Sequence, residues 1–248
     1  GHFTFNLTRT YPYTQGNIFV QPLDWLEAGF RYSAISNRFY DTSATGVYND
    51  QNYKDKSIDV KFRLWPESAY VPQIAAGLRD VAGTGLFSGE FLVASKRTGD
   101  FDWSLGMGWG YLGARGDLRN PLRFLSSEFE TRKQEGSSQG GQFALTSYFR
   151  GPTALFGGVQ YQTPWDRLIV KIEHDGNDYQ HEPLSNNLKQ SSPWNFGLVY
   201  RAGRAADVTI GVERGNTITL GLTLHTQLDR LVTPKLSDPP RVAVAAEW

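Results

Sequence analysis

Charged and amide side chains recur at every second position of several short segments of this chain. In residues 57–65, for example, Asp59, Lys61 and Arg63 alternate with apolar residues. Side chains on a β-strand point alternately to its two faces, so this spacing predicts a strand with one charged and one apolar face. Carboxylates and guanidinium groups make directed hydrogen bonds, which suits them to contact a ligand that is rich in hydroxyl groups.

The same alternation places a set of polar residues on one face of the predicted strands. We expect this face to line a lumen and to contact a saccharide through Asp59, Lys61, Arg63, Arg79, Asp102, Gln160, Lys171, Glu173, Asn195, Asp207 and Glu213. The alternative is that these residues pair with one another and fill a narrow barrel. Small barrels of about eight strands are filled by side chains, and aqueous channels exist by about sixteen strands, so both interpretations stay open. Glycines of the same phase, such as Gly77, Gly106 and Gly108, either widen a lumen or let a loop pack inside it.

Catalysis that depends on histidine has little support. The chain has only His2, His174, His181 and His225. His174 lies beside Asp175 near the end of a predicted strand, where a hydrolase acting on lipids would place it, but no serine lies one or two residues away. The chain has no cysteine, and its histidines have no spacing typical of a metal site. We therefore expect no catalytic residue, no metal and no cofactor, and we interpret His174 as an interfacial residue.

Residues 101–111 show the clearest alternation in the chain. Every odd position is a large apolar or aromatic residue, and every even position is Asp, Ser or Gly. A strand of about ten residues is long enough to cross a bilayer when tilted. Aromatic residues at both of its ends match the aromatic girdles of membrane barrels. A soluble sheet permits the same single strand, so the neighbouring segments must decide between the two.

Composition narrows the class of protein. The chain has 25 basic and 25 acidic residues and a pI near 7.1, which gives little support to a nucleic-acid-binding surface. No run of eighteen apolar residues exists, so a transmembrane helix is excluded. The chain is rich in glycine (26) and aromatic residues, with 15 Phe, 12 Tyr and 7 Trp, which favours β structure.

Alternating segments recur along the chain and predict about twelve strands. They cover residues 2–9, 17–23, 28–32, 57–65, 71–80, 87–97, 101–111, 154–162, 167–175, 194–201, 207–213 and 217–226. The long connections, 37–56, 112–153 and 176–193, all fall at one end, provided that the strand-like residues 142–149 belong to a loop. Residues 83–85 and 214–216 are interpreted as tight hairpin turns that need a positive φ.

This arrangement predicts an all-β fold, a single closed antiparallel transmembrane β-barrel with long extracellular loops and short periplasmic turns. Bacterial outer-membrane barrels have an even number of strands and sort their loops in this way. We expect the barrel to span residues 1–228 and to lie in the bacterial outer membrane. Residues 229–248 contain three prolines and predict an extended periplasmic tail or linker. The loop at 112–153 is expected to fold over or into the mouth of the barrel.

Several motifs resemble those of the YjbH/GfcD-type (WbfB) family. They include Phe62-Arg63-Leu64-Trp65, Gly77-Leu78-Arg79-Asp80, Gly83-Thr84-Gly85-Leu86-Phe87, Gly108-Trp109-Gly110-Tyr111-Leu112-Gly113, Tyr161-Gln162-Thr163-Pro164-Trp165 and Glu213-Arg214-Gly215-Asn216-Thr217. The resemblance implies an outer-membrane β-barrel that is linked to exopolysaccharide or capsule production. Family members are longer, and this chain resembles their N-terminal barrel portion. The resemblance identifies no catalytic residue.

The expected function is a non-enzymatic role in the export or assembly of exopolysaccharide or capsule. The implied partners are outer-membrane lipid, polysaccharide, and either periplasmic export proteins or the remaining domains of a longer chain; no nucleic acid is expected. The alternative is a channel for small solutes or oligosaccharides. A third hypothesis is an outer-membrane lipid hydrolase that uses His174.

Overall fold

Twelve antiparallel strands form one closed barrel in the computed structural model, which describes residues 1–40, 51–132 and 146–228. Each strand pairs with its neighbours in the chain, and the first strand pairs with the last. The strands are β1 His2–Thr10, β2 Tyr13–Leu23, β3 Leu26–Phe39, β4 Asn52–Trp65, β5 Gln73–Arg79, β6 Gly89–Thr98, β7 Phe101–Gly110, β8 Thr153–Gln162, β9 Leu168–His174, β10 Trp194–Arg201, β11 Ala206–Glu213 and β12 Thr217–Gln227. The predicted fold class is confirmed.

The remaining regular structure is short. The 3₁₀ helices are Tyr111–Gly113, Pro121–Phe124, Ser127–Glu130, Tyr179–His181 and Pro183–Ser185. Among the described residues, none of the helices has the length and hydropathy that a membrane-spanning helix requires. The predicted tail at 229–248 lies outside the described residues, as do parts of the predicted loops at 37–56 and 112–153.

Strands β3 and β4 extend further than their sequence pattern predicts. The predicted loop at 37–56 is wrong at both of its ends, because β3 continues to Phe39 and β4 begins at Asn52. The rings of Tyr40 and Tyr53 stack with centroids 4.8 Å apart, and the Tyr40 hydroxyl donates to the Lys54 carbonyl at 3.0 Å. Backbone pairing and these tyrosine contacts continue the hairpin where the alternation of polarity has already ended.

The register separates an outer from an inner face, because directly paired residues of neighbouring strands lie on the same face of a sheet. The outer face carries exposed large apolar residues on almost every strand. They are Leu7, Ile18, Phe30, Ile58, Leu92, Leu105, Leu155, Ile172, Leu198, Ile210 and Leu220. A continuous apolar exterior is unfavourable in water and is the surface that a transmembrane barrel presents to lipid.

The long connections all lie at one end of the barrel, which we call the mouth. Loops at 40–51, 80–88, 111–152 and 175–193 lead away from the mouth ends of the strands, and short turns join them at the opposite end. Stacked aromatic pairs lie near that turn end, with Trp25 on Phe62 and Phe101 on Tyr161 at 6.3 and 4.9 Å between centroids. The predicted sorting of loops is therefore confirmed.

The loop between β5 and β6 is more than the tight hairpin turn predicted at residues 83–85. Gly85 has the expected positive φ of 75°. Gly83 is required for a different reason, because a Cβ atom there would lie 2.3 Å from the Lys56 carbonyl oxygen and 2.8 Å from the Ser57 Cα. The loop thus folds back against the backbone of β4. The predicted turn at 214–216 has its positive φ values at Arg214 and Gly215.

Replacing Gly83 tests this close contact. We expect Gly83→Ala to lower the free energy of unfolding by about 1–3 kcal/mol, because the added methyl group meets backbone that has little freedom to move. Gly203→Ala is the matched control, since a Cβ atom at Gly203 meets no atom within 4 Å. Urea unfolding in detergent micelles measures both, and equal stability of the two variants would contradict the proposed packing.

Candidate functional site

The predicted polar residues all lie on the inner face of the barrel. In the strand register, Asp59 lies opposite Gly29 of β3. Lys61 lies opposite Glu27 of β3 and opposite Gly77 of β5. Following the same pairing around the sheet places the whole predicted set, Asp59, Lys61, Arg63, Arg79, Asp102, Gln160, Lys171, Glu173, Asn195, Asp207 and Glu213, on this face. Saccharide contact by these residues stays a prediction.

A cavity of about 350 Å³ lies inside the barrel. This volume falls within the range of small-molecule binding sites. Of the predicted residues, Asp59, Lys61, Arg79 and Glu173 line the cavity, and the chain adds Glu27, Arg31 and Asp175 to its charged lining. Strands β3–β5 form one wall and β9 forms part of the other, so the cavity extends across the lumen.

The remaining predicted residues lie elsewhere on the inner face. Glu213 accepts a hydrogen bond from the Thr10 hydroxyl at 3.2 Å, and Asn195 accepts one from the Arg214 backbone at 2.9 Å. Asp207 lies 3.8 Å from His225. Arg63, Asp102, Gln160 and Lys171 are also absent from the lining of the cavity. The structure therefore brings only part of the predicted set together.

Ion pairs neutralise much of one wall. The Arg31 guanidinium pairs with Asp59, whose other oxygen accepts the Asp80 backbone N–H at 3.0 Å. Lys61 pairs with Glu27 at 2.7 Å. Glu173, on the other wall, is exposed to the cavity and makes no ion pair with any residue that the structure describes. Among the described residues, self-pairing inside the barrel therefore holds between β3 and β4, and not at Arg79 of β5 or at Glu173.

Phenylalanine rings cover glycines on the inner face. Phe19, Phe91 and Phe156 each pair directly with a glycine of the neighbouring strand, namely Gly29, Gly77 and Gly106. A Cβ atom at these glycines would lie 2.3–2.5 Å from the phenylalanine ring, so each ring occupies the space of the missing side chain. All three rings line the cavity. The glycines thereby make room for an aromatic wall inside the lumen.

The cavity includes residues that the sequence interpretation missed. Glu27 and Arg31 follow the same alternation as the predicted set, so their phase was sufficient to identify them. The inward phenylalanines leave no such signal, because an aromatic residue on either face looks the same in a sequence. Phe91 is also followed directly by Leu92 and Val93, which hides the phase of β6.

Glu182, in the loop between β9 and β10, lies buried at the mouth with 4% of its surface exposed. Its carboxylate accepts hydrogen bonds from the hydroxyls of Tyr13 at 2.5 Å and Tyr111 at 2.9 Å, and from the Asn177 amide at 2.7 Å. Burial raises the pKa of Glu182, and the hydrogen bonds from these donors partly offset that rise. Burial also raises the pKa of Tyr111 well above its usual value, which keeps its hydroxyl a donor. One carboxylate therefore ties the loop to β2 and to the residues that follow β7.

Apolar residues from β3 and from two loops complete this contact. Ile35, Phe87 and Leu188 are buried next to Tyr13, and the Phe87 ring meets Tyr13 and Tyr111 edge to face at 6.0 and 5.1 Å. We call Tyr13, Ile35, Phe87, Tyr111, Glu182 and Leu188 the mouth cluster. Arg79, which lines the cavity, lies 5.1 Å from the centre of the Tyr111 ring. The mouth cluster therefore closes the loop-side end of the cavity.

The long loop between β7 and β8 follows the prediction only in part. Its first residues lie at the mouth, where Leu112 lines the cavity and the Arg115 backbone N–H donates to the Gly176 carbonyl at 3.0 Å. Later residues such as Asn120, Phe149 and Arg132 pack against the outer face of the barrel. There they bury Trp109 and Glu90, which point outward at the strand ends. Glu90 is fully buried and accepts two hydrogen bonds from Arg132 at 2.8 and 2.9 Å. A buried outward carboxylate needs such a partner, and the loop supplies it. Residues 133–145 lie outside the described part.

Asn120 holds this outer loop together. Its amide nitrogen donates to the carbonyls of Phe129, Phe149 and Gly151 at 2.8–3.2 Å, and its oxygen accepts the Leu122 backbone N–H at 2.9 Å. These contacts fold the described residues of the loop onto themselves beside β6–β8. The mouth is crossed by the loop between β9 and β10, through the contacts of Glu182 with Tyr13 and Tyr111.

His174 lies on the outer face at the mouth end of β9. Its ring packs edge to face on Trp194 at 5.0 Å. The neighbouring Asp175 carboxylate is turned to other partners, because it accepts the Asn177 backbone N–H at 3.0 Å and the Tyr179 hydroxyl at 2.6 Å. This geometry agrees with the interpretation of His174 as an interfacial residue.

The fold and the site together define a transmembrane β-barrel with a charged and aromatic lumen that loops close at one end. Within that class, the chain belongs to the YjbH family, described as exopolysaccharide biosynthesis protein YbjH, whose family model matches residues 1–248. It is 44% identical over 245 residues to the uncharacterized lipoprotein YjbH of Escherichia coli K12. That match covers 97% of this chain and 34% of the relative, so the chain spans about a third of the length of the relative.

Solved structures with a similar fold include two porins. The KdgM porin matches with a TM-score of 0.46 and 8% identity, covering 92% of this chain and 99% of the porin. The NanC porin matches with a TM-score of 0.44 and 10% identity, with the same coverage of both chains. At these values the likeness concerns barrel architecture only.

Closure of the mouth by Glu182 predicts a measurable change in ion conductance. We expect Glu182→Ala to raise the conductance of the chain in planar bilayers, because two tyrosine hydroxyls and an amide lose their common acceptor and the contact of the loop at 175–193 with β2 and with Tyr111 is weakened. Asn120→Ala is the control, since it disturbs the outer loop and leaves the mouth cluster intact. Equal conductance of Glu182→Ala and the wild type would contradict the role of Glu182 in closing the barrel.

Asp80 predicts a specific pH dependence of stability. Burial, together with the nearby Asp55 carboxylate, raises the pKa of Asp80 to about 6. The folded state therefore holds a proton that the unfolded state releases near pH 4, so this contribution to stability is present below pH 4 and is lost as the pH rises through 6. The free energy of unfolding of Asp80→Asn, measured relative to that of the wild type, should therefore increase by on the order of 1–3 kcal/mol between pH 4 and pH 7.

Urea unfolding at both pH values measures this difference. The asparagine oxygen still accepts the hydrogen bond that Asp80 receives from the Phe87 backbone at 3.1 Å, so the loop keeps its contact. A stability difference between the two proteins that does not change with pH would contradict the assignment.

Proposed function

We propose that this chain is an outer-membrane β-barrel that takes part in the export or assembly of exopolysaccharide without acting as an enzyme. The observation that carries the proposal is the cavity inside the barrel, where charged side chains and phenylalanine rings line one space. Membership of an exopolysaccharide biosynthesis family supports polysaccharide as the class of ligand. The apolar outer face supports outer-membrane lipid as its surroundings.

The lumen has the groups that a polyhydroxylated chain requires. Arg79 offers N–H donors, and Glu173 offers exposed acceptors on the other wall of the cavity. Hydrogen bonds to charged groups are stronger than those between neutral groups, so a few such residues suffice to hold a sugar segment. The loop at 175–193 must move before a polymer passes the mouth, because Glu182 and Leu188 lie across it.

The turn end of the barrel is the proposed side for protein partners. Both strands that close the barrel, β1 and β12, have their free ends there. Periplasmic export proteins, or the further domains of a longer chain, would deliver polysaccharide from this side.

A channel for small solutes or oligosaccharides is the second candidate. Glu173 favours it, because it is exposed and makes no ion pair among the described residues, whereas a lumen filled only by paired charges would leave no path. The conductance measurement above separates the two functions. A large steady current in the wild type would favour the channel, and a current that depends on removal of Glu182 would favour a barrel that opens for its polymer.

Secretion of polymer tests the proposed function in cells. Deleting the gene should lower the amount of exopolysaccharide released, and the wild-type gene should restore it. A double variant, Arg79→Gln with Glu173→Gln, should restore less than the wild type because it removes a cation and a carboxylate from the cavity. Phe196→Leu on the outer face is the control and should restore secretion fully.

The amount of folded barrel in the outer membrane must be equal for all variants, which is checked by heat-dependent migration in gels. Unchanged secretion after deletion would contradict the proposed function. Full restoration by the double variant would contradict the role of the cavity.

A further inference from the structure

The aromatic side of the cavity continues across four strands. The Phe91 and Phe156 rings, from β6 and β8, meet edge to face with centroids 6.3 Å apart. They extend over Gly77 on β5 and Gly106 on β7, and Leu112 lies against the neighbouring Gly108. Strands β5–β8 thus present an apolar surface to the cavity, with backbone glycine beneath it. The C–H face of a pyranose ring is apolar, so it packs well on such an aromatic surface.

The charges around this surface have no positive excess. The cavity is lined by three cations, Arg31, Lys61 and Arg79, and by four carboxylates, Glu27, Asp59, Glu173 and Asp175. Two of the cations are already held in ion pairs, Arg31 with Asp59 and Lys61 with Glu27. The other charged residues of the lining, Arg79, Glu173 and Asp175, make no ion pair among the described residues. A polyanion would therefore find no excess of positive charge in the lining, whereas hydroxyl groups find both donors and acceptors.

We infer that the cavity binds an uncharged pyranose segment of the polymer and disfavours an acidic one. The sugar rings pack on Phe91 and Phe156, and their hydroxyls bind Arg79 on one side and Glu173 on the other. This inference rests on the proposed function and adds the class of saccharide to it. Phe19 extends the apolar lining on the far side of β4, next to the paired charges.

Binding of two matched hexasaccharides tests the inference. Maltohexaose is neutral, and hexagalacturonate carries a carboxylate on each ring. Each is titrated by calorimetry into the chain in a tetraoxyethylene detergent, since the headgroup of an alkyl maltoside would compete. We expect maltohexaose to bind more tightly than hexagalacturonate. Glu182→Ala is measured beside the wild type, so that the closed mouth does not prevent entry.

Variants of the aromatic surface locate the binding. Phe91→Leu and Phe156→Leu should each weaken maltohexaose binding about 2- to 10-fold, because a leucine loses the aromatic contact and keeps most of the volume. Phe196→Leu, which changes a phenylalanine on the outer face, should leave the affinity unchanged. Unchanged affinity in both inner variants would overturn the inference.

A charge variant tests the selectivity. Glu173→Gln should raise the affinity for hexagalacturonate about 2- to 5-fold, because it removes an unpaired carboxylate from the wall, and should change maltohexaose binding less. Tighter binding of hexagalacturonate than of maltohexaose by the wild type would overturn the inference. So would the absence of maltohexaose binding in both the wild type and Glu182→Ala. Neither result contradicts a role in polymer secretion, which the gene deletion tests separately.

Discussion

Closure of the β-sheet is the constraint on which the rest of this structure depends. In a hydrocarbon environment, each backbone N–H and C=O group must find its partner within the protein, so a spanning sheet cannot have an edge. The pairing of β1 with β12 removes that edge, with His2 opposite Gln227 and Thr10 opposite Thr219. In a closed barrel, the number of strands sets the width of the lumen, and here that number is twelve. Every side chain on the inner face has to share that limited space.

On the inner face, large side chains lie opposite small ones, and several opposite charges form ion pairs. The three phenylalanine rings that line the cavity each have a glycine as direct partner on a neighbouring strand, as Phe156 has Gly106. Two inward cations of β3 and β4 pair with a carboxylate of the neighbouring strand, Arg31 with Asp59 and Lys61 with Glu27. What remains is a cavity between an aromatic side and a charged side. Its mouth end is closed by loop residues that meet on the Glu182 carboxylate.

The sequence was sufficient to predict the architecture because alternation and loop length are local properties. All twelve strands, the sorting of the long loops and the inward phase of residues such as Lys61 and Glu173 follow from them. The contents of the cavity depend on which residue of one strand pairs with which residue of the next, and that register is not visible in a sequence. The partnership of Arg31 with Asp59, and of Phe91 with Gly77, arises only from it.

Loop conformation was the least predictable part for the same reason. Glu182 lies in a polar segment with no periodicity, and its donors Tyr13 and Tyr111 are far away in the chain. Part of the loop after β7 packs outside the barrel because Glu90 and Trp109 point outward there, and the burial of these two residues is known only from the structure. The pattern of residues 101–111 predicted the strand, but it did not indicate against which part of the barrel the following loop would pack.

The pairing of a ring with a glycine also has a consequence for how this sequence is able to change over time. A larger residue at position 106 forces the Phe156 ring to move or favours a smaller residue at position 156, since a Cβ atom at Gly106 would lie 2.3 Å from the ring. The same holds for positions 77 and 91, and for positions 29 and 19. Single substitutions at either member of a pair are thus penalised, whereas exchanges of size within a pair are tolerated. The lumen is therefore expected to evolve by coupled steps, and these three pairs should covary among related barrels.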